Sequence, residues 1–145
     1  MLATARLNSC FLREDEEDTV LDATTAMELL LSDGENTEIT HKLAMRMAAI
    51  SVLDPSCADD PVTVFKNVKN VYSFRSALVH GNAKKAEKTR EIKIQEHKQV
   101  PTVKVATDYI RMAIRVLIEH PRYRVAAAID EALLEKCPLQ GVEHG

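Results

Sequence analysis

A chain of 145 residues has room for one domain of ordinary size. Its 46% hydrophobic and 28% charged content excludes a disordered tail, and no apolar run approaches the about 18 residues that cross a bilayer, which excludes a helical membrane protein. The net charge of −3 hides an asymmetry: residues 1–61 hold four Lys/Arg against thirteen Asp/Glu, whereas residues 75–104 hold eight against three.

The stretch Met1 to Leu12 has no continuous apolar run of signal-peptide length. From Glu16 to Ser32 the apolar positions Val20, Ala23, Met27, Leu30 and Leu31 predict a first helix, closed by Asp33-Gly34. A second helix is expected from Asn36 or Thr37 to just before Pro55, with Ile39, Leu43, Met47, Ile50 and Leu53 as its buried stripe. Asp59-Asp60-Pro61 supplies an N-cap and a first-turn proline for a third, which runs to about His80 with Gly81 as its terminating residue. Residues 82–100 are polar and basic and are expected as a mobile, partly helical excursion. Thr102 opens a fourth helix, apolar over more than half its circumference and therefore central. Pro121 opens a last one to about Lys136, and residues 138–145 read as a frayed tail. The whole predicts one all-α domain, an antiparallel bundle of four to five helices.

Several chemistries have no place in this pattern. Four glycines cannot assemble a phosphate-binding Walker loop or a dinucleotide fingerprint. Cys10, Cys57 and Cys137 include no CxxC pair, and His41, His97, His120 and His144 show no metal-ligand spacing, so neither a metal nor a cofactor is expected. Reduced thiols and the lack of an export signal point to the cytoplasm.

Charged residues inside apolar stripes are more informative. At ~100° per residue, Arg75 falls in the middle of the arc formed by Val64, Val68, Val71, Tyr72 and Val79, where an aliphatic side chain is expected. An inward arginine needs compensation from a core carboxylate, a route to the surface, a second subunit or a bound anion. Arg46 interrupts the second helix's stripe in the same way, and Glu28 sits at the edge of the first helix's stripe, so an interhelical ion pair between Glu28 and Arg46 is predicted. Five residues after Arg75 stands His80, at a helix C-terminus beside a glycine able to take a positive φ.

The segment Tyr72-Ser73-Phe74-Arg75-Ser76-Ala77-Leu78-Val79-His80-Gly81 resembles the R-x4-6-H motif of HEPN domains, and more narrowly the Y-x-x-R-S-x-x-V-H-G form of the Apea-like HEPN family. Ala26-Met27-Glu28-Leu29-Leu30 and the stretch from Glu38-Ile39 through Arg46-Met47-Ala48 look like that family's first two core helices. The resemblance implies a small helical bundle that forms a homodimer through the motif helices. In many members this is a metal-independent endoribonuclease of toxin–antitoxin, defence or RNA-processing systems, with an antitoxin or regulatory protein as a further partner. His80 would then act as general acid/base at the ribose 2′-OH and the leaving oxygen, and Arg75 would stabilise charge on the phosphate. Ser76 matches the polar position after the arginine. Lys84 and Lys85, by charge and position, would hold the RNA backbone, with Tyr72 and Asn82 beside them. The alternative is a non-catalytic HEPN module in which Arg75 and His80 support a dimer or bind RNA, a nucleotide or a partner protein.

Overall fold

Proline, glycine and short polar side chains set the helix ends. A computed structural model describes residues 2–12 and 15–136, and the tail expected to fray at 138–145 lies outside the described residues. Helix α1 (Leu2–Leu12) packs on α2 (Glu16–Leu31). The N-cap of α2 is Asp15, whose carboxylate accepts the Glu17 amide at 2.9 Å, and Glu16, Glu17 and Asp18 place negative charge at the positive end of the helix dipole. Past its C-cap, Gly34 takes φ +86°, and α3 (Ile39–Ser51) follows. Helix α4 (Pro61–Val79) begins as its sequence demands: the Asp60 carboxylate accepts the Thr63 amide at 3.0 Å, and Pro61 occupies the first turn, where no N–H is needed.

The fold is a helical bundle, with seven α-helices among the described residues and one small sheet. Its core gathers Val20, Met27 and Leu31 from α2, Leu43, Met47 and Ile50 from α3, and Val64, Val68, Val71 and Phe74 from α4. Helix α6 (Thr102–Glu119) adds Ala106, Ile110, Ala113 and Val116, and it packs against α1, α2, α3 and α4, so it is central. The expected last helix begins instead as a 3-10 turn over Pro121–Arg124. Extended backbone at Val125 breaks the run before α7 (Ala126–Lys136), which buries Ala126 and Ile129 against the rest.

Residues 82–100 carry regular structure. Helix α5 (Ala83–Thr89) is followed by an antiparallel hairpin of β1 (Glu91–Gln95) and β2 (Lys98–Pro101), joined by Glu96 and His97. A polar knot fastens this excursion to the bundle. Asn70 of α4 donates to the Thr89 carbonyl at 3.1 Å and to the Thr102 hydroxyl at 3.2 Å, and the fully buried Thr102 hydroxyl donates to the Thr89 carbonyl at 2.5 Å. These three bonds hold the two ends of the excursion, Thr89 and Thr102, together on α4.

Candidate functional site

The C-terminal turns of α4 carry the motif residues, and their geometry follows from how that helix ends. Asn82 N–H reaches the Ala77 carbonyl at 2.8 Å and Gly81 N–H the Leu78 carbonyl at 3.1 Å, the paired bonds of a Schellman ending, with Gly81 at φ +65°. His80 is therefore the C-cap, helical up to its own amide, which donates to the Ser76 carbonyl at 3.0 Å, and its side chain is exposed. Ser76 is half-buried one residue after Arg75. On a helix, residues five apart point about 140° away from each other and sit about 7.5 Å apart along the axis. The two motif side chains thus leave the same helix in different directions.

Arg75 is half-buried, and its Nε is enclosed with no hydrogen-bond acceptor. No carboxylate lies within ion-pair distance of it among the described residues. An enclosed N–H without a partner costs about 1–3 kcal/mol of stability. Beside it on α4, the Tyr72 hydroxyl donates towards the Thr24 carbonyl and Glu28 Oε1 of α2, both at 3.3 Å. Burial above all, and then the charge of Glu28, push the Tyr72 phenol well above its ordinary range, while Arg75 pulls it back down. Glu28, Tyr72 and Arg75 therefore form one electrostatic group between α2 and α4.

Two sequence expectations are corrected here. Glu28 does not pair with Arg46. The Arg46 guanidinium is 3% exposed and donates to Asp130 Oδ1 at 2.9 Å and Oδ2 at 2.8 Å, to Asp33 Oδ2 at 3.0 Å and to the Leu31 carbonyl at 2.8 Å. It faces α7 and the end of α2, whereas Glu28 faces α4, one element further round the bundle. Tyr72 is 7% exposed and lies in the core, as its place in the apolar stripe of α4 predicts, so the expectation that it also contacts RNA is corrected. Of the remaining expected residues, Asn82 is exposed but spends its side-chain oxygen as the N-cap of α5, accepting from the Lys85 amide at 3.0 Å. Lys84 and Lys85 are exposed in the first turn of α5, directly after the motif.

Two concavities had no place in the sequence reading. One, of about 490 Å³, lies among α3, α4 and α7 and is lined almost wholly by apolar side chains such as Met45, Leu53, Val62 and Phe65. The other, of about 580 Å³, lies between the hairpin, the 54–59 segment and α6, and is rich in charge. Its signal was present in the sequence as Lys104, Asp108, Arg111 and Arg115, whose spacings of four, three and four put them on one face of a helix. No group of residues able to hold a metal ion occurs among the described residues, and none of the described helices is long and apolar enough to cross a membrane. No protein-family model, no curated protein and no solved structure matches the chain.

Proposed function

We propose that this protein is a HEPN-type endoribonuclease that cleaves RNA without a metal ion, at a composite site formed when two copies bring their α4 C-termini together. The observation that carries this reading is the enclosed, unpartnered Nε of Arg75 five residues before an exposed C-cap histidine. A guanidinium left without an internal carboxylate is suited to an anion from outside, and the planar fork matches a phosphate. Because Arg75 and His80 diverge on one helix, a two-fold arrangement is what lets an arginine and a histidine flank one phosphodiester. Imidazole is the side chain whose protonation changes near neutral pH. It takes the 2′-OH proton as the 2′ oxygen attacks phosphorus, Arg75 stabilises the charge gathering on the phosphoryl oxygens, and the departing 5′ oxygen is protonated by an imidazolium. The products are a 2′,3′-cyclic phosphate and a 5′-hydroxyl. Lys84 and Lys85 hold the flanking backbone.

The test is incubation of the purified protein with mixed structured and unstructured RNA in EDTA, alongside His80→Ala and Arg75→Ala variants whose folding is checked by circular dichroism. The wild type is expected to leave cyclic phosphate ends, and each variant to lose about 10²-fold or more in rate. A folded dimer that binds RNA but does not cleave it, with binding lost in Arg75→Ala, would replace the enzyme by the non-catalytic binding module.

A further inference from the structure

The apolar concavity among α3, α4 and α7 is a groove with a floor and two sides. Helix α3 packs against both α4 and α7, which make little contact with each other, so α3 is the floor. Ala48 and Ala49 on α3 and Ala132 on α7 project one methyl group each, which leaves room that longer side chains would fill. Met45, Val52 and Val62 line the groove and are 39%, 62% and 61% exposed. Single apolar residues on a surface need no explanation, but these three share one cavity of about 490 Å³. Small-molecule sites span about 300–1,000 Å³ and are lined mainly by apolar side chains with a few polar groups.

Charge around this groove has one sign. Of the fourteen described residues that line it, Lys136 at the end of α7 is the one that carries a charge. On the α4 side, Lys69 Nζ stands 5.4 Å from the centre of the Phe65 ring, and Phe65 lines the groove. Both lysines are exposed, and neither has an ion-pair partner among the described residues. Helices α3 and α4 contain no aspartate or glutamate, and Asp130 of α7 is taken up by Arg46. Glu131 and Glu135, the other acids of α7, do not line the groove. An occupant with an apolar body and an anionic end therefore meets no repulsion. Fourteen residues fall short of the about 20–30 a side of a stable protein interface, which favours a small molecule over a protein segment.

We propose that this groove binds a single-chain carboxylate of the fatty-acid class, its alkyl chain along Ala48 and Ala49 and its carboxylate at the rim with Lys136, in the positive field that Lys69 extends. The site lies on the first turns of α4 and does not use Arg75 or His80.

Methyl and amide chemical shifts of the full chain are followed during titration with decanoate, decan-1-ol, decyltrimethylammonium and acetate, each below the concentration at which it aggregates. Saturable shifts at Met45, Val52, Val62 and Leu133 are expected with decanoate. Affinity should be about tenfold weaker for decan-1-ol and weaker still for the cation, and acetate should shift none of these residues. Val62→Asp places an acid at an exposed first-turn position that suits the helix dipole, so the remaining spectrum should stay in place while decanoate affinity falls about tenfold or more. The double variant Lys69→Glu/Lys136→Glu should reverse the preference and bind decyltrimethylammonium more tightly than decanoate. Absence of saturable shifts with decanoate, equal affinity for the three decyl compounds, or affinity unchanged in both variants overturns the proposal. An acidic amphipathic peptide that binds at the same residues more than about tenfold tighter than decanoate overturns it in favour of a protein partner. An Arg75→Ala variant that binds decanoate as the wild type does keeps this result separate from the ribonuclease reading.

Discussion

Arg75 occupies a position on α4 where packing asks for an aliphatic residue, and its Nε has no acceptor. The consequence is a cost in stability. Replacement by methionine, of similar reach and no polar group, should raise the unfolding free energy by about 1 kcal/mol in urea titrations while abolishing any function that needs the guanidinium. A loss of stability would mean that the arginine stem packs better than its headgroup hurts. The position was readable from the helical wheel, because it depends only on spacing along one element. That Glu28 would face Tyr72 and not Arg46 was unreadable, because it depends on how α2 is rotated against its two neighbours. Tyr72 carried two expectations, a place in the apolar stripe and a contact with RNA, and its burial in the core agrees with the first.

At the scale of elements, the ends of helices were the most legible feature. Asp60-Pro61 and His80-Gly81 each specify a cap through chemistry confined to a few residues, and each cap forms. The hairpin escaped notice because its connection, Glu96-His97, has neither the glycine nor the asparagine that marks a tight turn, and because Ile92 and Ile94 sit inside a basic run. The join between the 54–59 segment and α6 has a pH dependence that follows from Asp54. The Ser56 hydroxyl first, and then the Arg115 guanidinium, hold its carboxyl down at about 2. An unfolded aspartate titrates at about 3.9, so the folded state binds the proton less tightly. The stabilisation is therefore complete above about pH 4 and is lost as pH falls towards 2. Thermal melts should show Asp54→Asn less stable than wild type at pH 7, with the gap closing between pH 4 and pH 2. A gap that persists at pH 2 would assign the effect to packing.

For the molecule as a whole, the buried Arg46 network joins elements far apart in the chain, since Asp33 follows α2 and Asp130 lies on α7. Removing one acceptor leaves an enclosed guanidinium half-satisfied, so Asp130→Ala should lose about 1–3 kcal/mol of unfolding free energy. The double variant with Arg46→Met should lose less than the two single losses added together, which a double-mutant cycle reads directly. Strict additivity would show that the pair is not coupled. Sequence could place Arg46 in a stripe but could not name its partner, because an acid 84 positions away is one of many.

That separation also matters while the chain is being made. Synthesis proceeds at about 5–20 residues per second, so Asp130 emerges several seconds after Arg46, when α2, α3 and α4 have already left the ribosome. During that interval the guanidinium has Asp33 and one carbonyl as its only native acceptors, and α7 has yet to cover it. The Arg46 side of the nascent bundle therefore stays uncovered until α7 emerges.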